Sequence, residues 1–236
     1  MIRAVIFDWG GTLTPWHQID LVAQWYAYAE IYDPANAASL AVRLRDAEMH
    51  RWQVQLLSNG QTSTGALDGI FMDEGIDLGS DLHKTALENY LRFWDPHTLA
   101  DPQADALLRA LRADGLAIGV LSNTLWPRSH HEAVFARDGL LPLIDAAAYT
   151  SEMPMAKPHV DAFITIARML DVQPQEAVFV GDRIWDDILG AQQAGMRTIH
   201  IPHSRIPDEQ VPDGSAIPDA VIDELGEVLD IVRGWR

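Results

Sequence analysis

The chain has 236 residues, of which 48% are hydrophobic, and this size suits one folded α/β core with room for a smaller insertion. Its 34 acidic and 17 basic residues give a charge of −17, which disfavours nucleic acid as a partner because polyanions bind surfaces rich in Lys and Arg. The absence of cysteine excludes disulfides, thiolate nucleophiles and zinc sites built on sulfur.

The sequence contains no candidate membrane span. About 18 consecutive apolar residues are needed to cross a bilayer, and no run approaches that length. Residues 1–7 lead directly into a motif and not into the apolar region of a cleavable signal. We therefore expect a cytoplasmic protein without a membrane partner.

Short apolar, β-branched runs alternate with helical patterns along most of the chain. Each run predicts a buried strand, and the periodicity between runs predicts helices. Because strands and helices alternate, we expect a doubly wound, parallel, Rossmann-like sheet. The predicted strands cover 2–7, 116–121, 146–150, 177–180 and 198–201, and the predicted helices cover 102–113, 127–138, 158–170 and 184–194.

Residues 15–96 interrupt this alternation, because their periodicity is helical throughout. We predict an all-helical cap over 15–96, inserted into an α/β core made of 1–14 and 97–236. Pro15 and the Asp95-Pro96 pair are candidate hinge points at its two ends. The predicted cap helices cover 19–31, 35–57, 65–74 and 81–93, and an amphipathic tail over 218–232 is expected to pack on the sheet.

Four short motifs carry the candidate chemistry, and three of them lie at or just beyond the end of a predicted strand. The carboxyl ends of parallel strands form the edge where open α/β sheets bind ligands, so we expect the motifs to meet there. An ionised carboxylate at this edge can act as a nucleophile, and clustered carboxylates need a cation to offset their repulsion. The motifs are Phe7-Asp8-Trp9-Gly10-Gly11-Thr12-Leu13, Leu121-Ser122-Asn123-Thr124, Lys157-Pro158 and Gly181-Asp182-Arg183-Ile184-Trp185-Asp186-Asp187.

The order and context of these motifs resemble the haloacid dehalogenase superfamily of Mg²⁺-dependent phosphohydrolases and related hydrolases. A single helical cap after the first motif resembles subfamily I, whose members mostly act on small molecules. The resemblance implies that Asp8 is the nucleophile and forms an aspartyl-phosphate, that a Ser122 hydroxyl contacts the phosphoryl group, and that Lys157 neutralises charge.

The same resemblance implies a metal site and a substrate site. Mg²⁺ is expected to bind Asp8, the Gly10 carbonyl, Asp182 and Asp187, with Asp186 as a near neighbour. The small phosphorylated substrate is expected to contact four residues of the first two motifs, namely Trp9, Gly11, Thr12 and Asn123. The sequence leaves the substrate's identity and the oligomeric state open.

The first motif departs from the family pattern Asp-x-Asp-x-Thr, because Gly10 replaces the second Asp, which serves as general acid/base. The resemblance therefore implies a phosphatase in which protonation of the leaving group is weakened or relocated, with His17 as a candidate donor. Activity is then expected to depend on the leaving group, because acyl and aryl phosphates need little help from a proton donor.

Two alternatives stay open on the sequence. The first motif is also similar to the Asp-Trp-Ala-Gly-Thr of phosphonoacetaldehyde hydrolases, which cleave a C–P bond through a cap lysine, and Lys84 is the only lysine in the predicted cap. A non-catalytic module that binds Mg²⁺ and phosphate is the second alternative. Haloacid dehalogenases also lack the second Asp, but they need no Mg²⁺, and the acidic cluster favours a metal.

Three tryptophans lie in or beside the motifs: Trp9, Trp126 and Trp185. They are candidates for the aromatic wall of a pocket above the metal. Packing in the core is the simpler expectation, since tryptophan is usually buried for its area alone.

Overall fold

The sheet that was expected from the sequence is present and fully parallel. A computed structural model describes residues 1–202 and 216–236 of the chain, and in this part six strands form one sheet. Strand β1 (Ala4–Phe7) lies at the centre, between β2 (Ala117–Ser122) and β4 (Ala177–Gly181). The order is β3-β2-β1-β4-β5-β6, with β3 at Ala146–Tyr149, β5 at Arg197–His200 and β6 at Ala220–Val221.

Four α-helices lie within residues 15–96, as predicted. They are α1 (Leu21–Tyr32), α2 (Ala37–Leu57), α3 (Leu67–Asp73) and α4 (Asp81–Trp94). We call residues 15–96 the helical insertion. Its buried side chains form an apolar cluster that also includes Leu125 and Trp126, which follow β2. That the insertion acts as a separate cap domain stays a prediction.

Helices cover both faces of the sheet. Val5 and Phe7 of β1 pack with one set of helices, and Ala4 and Ile6 pack with the other, because successive side chains of a strand point to opposite faces. The first face is covered by α5 (Ala104–Ala113), α6 (Arg128–Arg137) and α9 (Val228–Gly234), and the second by α7 (Val160–Met169) and α8 (Gly190–Ala194).

Two segments differ from the sequence prediction. The helix predicted over 184–194 begins with a π-helical turn, Ile184–Leu189, in which the N–H of Ile188 donates to the carbonyl of Arg183 at 3.2 Å. The tail predicted over 218–232 begins with β6, because its backbone pairs with β5 and Asp219 accepts the Thr198 N–H at 2.8 Å. The tail nevertheless packs against the sheet through Ile222, Leu225, Val228 and Val232. Within 1–202 and 216–236, no helix is long and apolar enough to cross a bilayer.

Candidate active site

Asp8 directly follows the central strand, at the carboxyl edge of the sheet. Its N–H donates to the Val180 carbonyl of β4 at 2.9 Å, which continues the pairing of β1 by one residue. Its side chain is buried, and the Asp8 residue lines a large cavity between this edge and the helical insertion. The fold thus presents one buried carboxylate at the position where a parallel sheet binds ligands.

The ammonium of Lys157 lies between two buried carboxylates. Its Nζ donates to Oδ1 of Asp8 at 2.7 Å and to Oδ1 of Asp187 at 2.6 Å. Burial lowers the pKa of Lys157, but the carboxylates of Asp187 and Asp8 outweigh it and raise the pKa above its usual value. Lys157 is therefore a fixed positive charge beside Asp8 across the physiological pH range.

The predicted metal-binding carboxylates come together. One carboxylate oxygen from each of Asp8, Asp182 and Asp187 lies within 4.8 Å of the other two, and all three side chains are buried. Two glycines make room for them. A Cβ at Gly11, whose φ is +88°, would overlap the Asp182 carboxylate, and a Cβ at Gly181 would overlap the Asp187 side chain.

This cluster fits a small divalent cation. Mg²⁺ holds its oxygen ligands at about 2.0–2.1 Å, so ligands on opposite sides of the ion are about 4.2 Å apart, within the observed spacing. Burial raises the pKa of Asp8 even though Lys157 lowers it, and Asp187 raises it further. Lys157 and Arg183 together carry two positive charges against the four carboxylates of Asp8, Asp182, Asp186 and Asp187, and a bound cation would offset the difference.

The backbone of Lys157 is held from two sides. Asn123 accepts the Lys157 N–H on Oδ1 at 2.9 Å and donates from Nδ2 to the Lys157 carbonyl at 3.0 Å. Gln55, at the end of α2, donates to the same carbonyl at 2.7 Å. The structure thus places the Asn123 side chain on Lys157, and its predicted contact with substrate stays a prediction.

The other residues of the first two motifs are close to this edge. Gly10 and Gly11 line the cavity, and a Cβ at Gly10 has no heavy atom within 4 Å. Thr12 and Ser122 are buried but do not line the cavity, and the Thr12 hydroxyl has no hydrogen-bond partner among the described residues. Their contacts with substrate, and the Gly10 carbonyl as a metal ligand, stay predictions.

The cavity has a volume of about 1210 Å³ and an aromatic wall. Trp9 and Trp126 line it, as the sequence suggested, and their rings meet edge to face at 5.5 Å. Trp185 is not among the lining residues, so the alternative of a pocket wall does not apply to this tryptophan. The insertion and its two ends contribute further lining residues, including Trp16, Trp52, Trp94, Glu48 and Gln55.

Sequence reasoning missed the contribution of α2. Glu48, Trp52 and Gln55 follow one another at intervals of four and three residues, which places them on one helix face. The spacing alone indicates that the three side chains share one face of α2. It did not reveal that this face lies over Lys157.

The two residues that the sequence hypotheses invoked, His17 and Lys84, differ in their position relative to the cavity. His17 lines the cavity and has an exposed side chain, and its role as proton donor stays a prediction. Lys84 does not line the cavity. Its ammonium pairs with Asp81 at 3.0 Å, and 60% of its side chain is exposed.

Residues 2–195 match the family description haloacid dehalogenase-like hydrolase. The chain belongs to this family. It is 29% identical over 234 residues to a glyceraldehyde 3-phosphate phosphatase of Methanopyrus kandleri, covering 99% of this chain and 98% of that protein. As a member of the family, the chain is a hydrolase.

Solved structures of this family share the fold. A HAD phosphatase of Thermococcus onnurineus superimposes with a TM-score of 0.64 at 23% identity, covering 99% of each chain. L-2-haloacid dehalogenase of Xanthobacter autotrophicus superimposes with a TM-score of 0.63 at 22% identity, covering 100% of each chain. Since phosphatases and dehalogenases match equally well, the overall architecture does not choose between their reactions.

Proposed function

We propose that this hydrolase is a Mg²⁺-dependent phosphatase that acts on a small phosphorylated metabolite through an aspartyl-phosphate. The observation that carries the proposal is the position of Asp8, which contacts the Lys157 ammonium at 2.7 Å and lies within 4.8 Å of two further buried carboxylates, Asp182 and Asp187. A nucleophile, a fixed cation and an acidic cluster are the parts that phosphoryl transfer to a carboxylate requires.

In this reaction an Asp8 carboxylate oxygen attacks phosphorus, and the bond from phosphorus to the leaving oxygen breaks. Water then hydrolyses the aspartyl-phosphate and restores the carboxylate. Lys157 offsets negative charge on the phosphoryl oxygens, while Asn123 and Gln55 hold its backbone in place. Mg²⁺, when bound by Asp8, Asp182 and Asp187, supplies further positive charge for the phosphoryl group.

The departure at Gly10 governs which substrates react fast. With no carboxyl at this position, an alkoxide leaving group lacks the positioned proton donor of the family pattern. Positioned proton transfer typically contributes about 10²–10⁴ in rate. Acyl and aryl phosphates release weakly basic oxygens, so they are the substrates for which this loss matters least.

The position of Lys84 argues against the Schiff-base alternative. A lysine that forms an imine with a substrate must reach the cavity, and Lys84 lies outside its lining with an exposed side chain. The acidic cluster argues against the dehalogenase reaction, because a cation site serves phosphoryl transfer and is not needed when a carboxylate attacks carbon.

The deciding experiment is a substrate screen of the purified full chain, with and without Mg²⁺. It includes acetyl phosphate, glyceraldehyde 3-phosphate, other phosphate monoesters, phosphonoacetaldehyde and 2-chloropropionate. We expect Mg²⁺-dependent release of phosphate, fastest from acetyl phosphate. Turnover of phosphonoacetaldehyde alone, metal-independent release of chloride, or phosphate binding without any turnover would each overturn the proposal in favour of a named alternative.

A further inference from the structure

The cavity above Asp8 has few positively charged side chains. Within the described part of the chain, Lys157 and Arg183 are the only Lys or Arg residues that line it. Lys157 is held by Asp8 and Asp187, and Arg183 pairs with Asp186 at 3.5 Å. Both of these cations are therefore already paired with carboxylates, which makes the cavity less suited to a second anionic group than to a cationic one.

A negatively charged side chain lines the same cavity. Glu48 of α2 lines the cavity, and only 9% of the residue is exposed. Its carboxylate accepts hydrogen bonds from Gln24 Nε2 at 2.7 Å, Trp25 Nε1 at 2.6 Å and Trp52 Nε1 at 3.4 Å. All three donors are neutral, so they orient the carboxylate and leave its charge uncompensated.

Burial raises the pKa of Glu48, and the three hydrogen bonds from Trp25, Trp52 and Gln24 lower it again in part. Within residues 1–202 and 216–236, no cation is among the groups that shift the pKa of Glu48. A buried carboxylate of this kind is stabilised most by a positive charge brought in from the cavity. A ligand that carries that charge would complete the pair.

Aromatic rings complete a site for such a charge. Trp52 both donates to Glu48 and lines the cavity, and Trp94 and Trp126 line it as an edge-to-face pair with centroids 4.9 Å apart. The π-faces of tryptophan attract ammonium and quaternary ammonium groups, and aromatic cages with an acidic side chain are a common way to bind them. The carboxylate of Glu48 and these three tryptophans line the same cavity.

We propose that, among phosphate monoesters of small alcohols, this protein prefers those whose alcohol carries a positively charged nitrogen, with the phosphate at Asp8 and Lys157 and the nitrogen at Glu48 and the neighbouring tryptophans. The inference rests on the proposed phosphatase function. It adds a charge requirement for the leaving group, which the family resemblance does not supply.

The test compares two substrates of nearly equal shape in the full chain with Mg²⁺. Phosphocholine carries a trimethylammonium group, and 3,3-dimethylbutyl phosphate carries the uncharged tert-butyl group in its place. We expect kcat/KM to favour phosphocholine by about tenfold or more, a ratio within reach of one desolvated cation contact. In Glu48→Gln the ratio should fall towards one. Equal kcat/KM for the two esters in the parent, or a preference that survives Glu48→Gln, overturns the inference.

Two controls keep the result interpretable. Glu88→Gln removes the same charge from an exposed position of α4 outside the cavity and should keep the parent's ratio. If Glu48→Gln does not fold, Trp52→Phe replaces it as the test. This change removes the indole donor, retains a ring and should reduce the ratio of kcat/KM. An unchanged ratio in Trp52→Phe counts against the site.

Choline binding separates this inference from the phosphatase proposal. Calorimetry on the parent should show choline binding that 3,3-dimethylbutanol does not reproduce. If acetyl phosphate is not hydrolysed, the phosphatase proposal fails, and choline binding still decides the cation site on its own. If acetyl phosphate is hydrolysed but choline does not bind, the cation site alone is overturned.

Discussion

The Nζ atom of Lys157 lies 2.7 Å from Oδ1 of Asp8, although 149 residues separate them in the sequence. Removal of one partner from a buried pair of opposite charges lowers the free energy of unfolding, because the other charge stays buried. The contact also fixes which oxygen of Asp8 is occupied by the ammonium. The other carboxylate oxygen is then the candidate for attack on phosphorus.

Asp8→Asn should abolish phosphatase activity while the protein stays folded, because an amide is nearly isosteric with the carboxylate but is too weak a nucleophile. Phosphate release from acetyl phosphate is the measurement, with circular dichroism to verify the fold. Loss of the nucleophile should remove almost all turnover. A residual rate above roughly a tenth of the parent rate would therefore exclude Asp8 from that role.

Asp182→Ala should weaken Mg²⁺ binding, because it removes one of the three buried carboxylates that lie within 4.8 Å of one another. Calorimetric titration with Mg²⁺ measures the effect directly, without substrate. Asp105→Ala is the matched control, since it removes an exposed carboxylate of α5 that pairs with Arg109. Equal affinity in the parent and in Asp182→Ala would show that the metal site is elsewhere.

Gly10→Asp should raise turnover of alkyl phosphates more than turnover of acetyl phosphate, because only the alkyl leaving oxygen needs a proton. The structure has space for the first atom of the new side chain, since a Cβ at Gly10 meets no heavy atom within 4 Å, and Gly10 lines the cavity. Gly10→Ala is the control, because it adds the same Cβ without an acid. An alkyl-to-acyl rate ratio that is the same in both variants would mean that protonation does not limit the reaction.

Gln55→Leu should lower kcat by about tenfold, because the Lys157 carbonyl loses its hydrogen bond from α2 and the ammonium is held less firmly. Gln61→Leu, which changes an exposed glutamine just beyond α2, should have no such effect. Steady-state kinetics on acetyl phosphate and chemical denaturation are measured on the same samples. A loss of about 1 kcal/mol in the free energy of unfolding with unchanged kcat would limit Gln55 to a structural role.

Acidification should destabilise the fold through His131, which is fully buried on α6 and contacts Thr124 Oγ1 at 3.0 Å. Burial lowers the pKa of His131 from 6.5 to about 3. Between these two values the unfolded chain binds a proton that the folded chain does not, so stability is full above pH 6.5 and falls as the pH falls. Each pH unit is worth about 1.4 kcal/mol, or about 2 kcal/mol from pH 6.5 to pH 5.

His131→Phe should therefore flatten the dependence of the free energy of unfolding on pH in that window, since phenylalanine can keep the stacking on Tyr149. Urea denaturation at pH 7 and pH 5 measures it, and His50→Phe at an exposed position of α2 is the control. The same slope in His131→Phe and the parent would contradict the prediction.

The sheet and the motif residues were predictable because their signals are local in the sequence. A run such as Ala4–Phe7 is apolar at every position, as a central parallel strand must be, and Asp8 is the first polar residue after it. The meeting of Asp8, Asp182 and Asp187 followed from their positions after parallel strands. These are consequences of topology, and topology was readable from the alternation of strands and helices.

The wall of the cavity was not predictable in the same way. Glu48, Trp52 and Gln55 share a helix face, but their orientation towards Lys157 depends on how the insertion packs on the sheet edge. That packing involves contacts such as the N–H of Leu67 with the carbonyl of Leu125 at 2.8 Å, which no short-range pattern encodes. The same is true of β6, whose two residues are strand only because β5 offers a free edge.

The concentration of tryptophan around the cavity gives this protein a built-in optical probe. Five of its eight tryptophans line the cavity, at positions 9, 16, 52, 94 and 126. Indole emission depends on polarity and on nearby quenching groups, so displacement of water by a ligand changes the signal of most fluorophores at once. Affinity and the speed of ligand entry are therefore measurable by stopped-flow fluorescence on unlabelled protein, before any substrate is known.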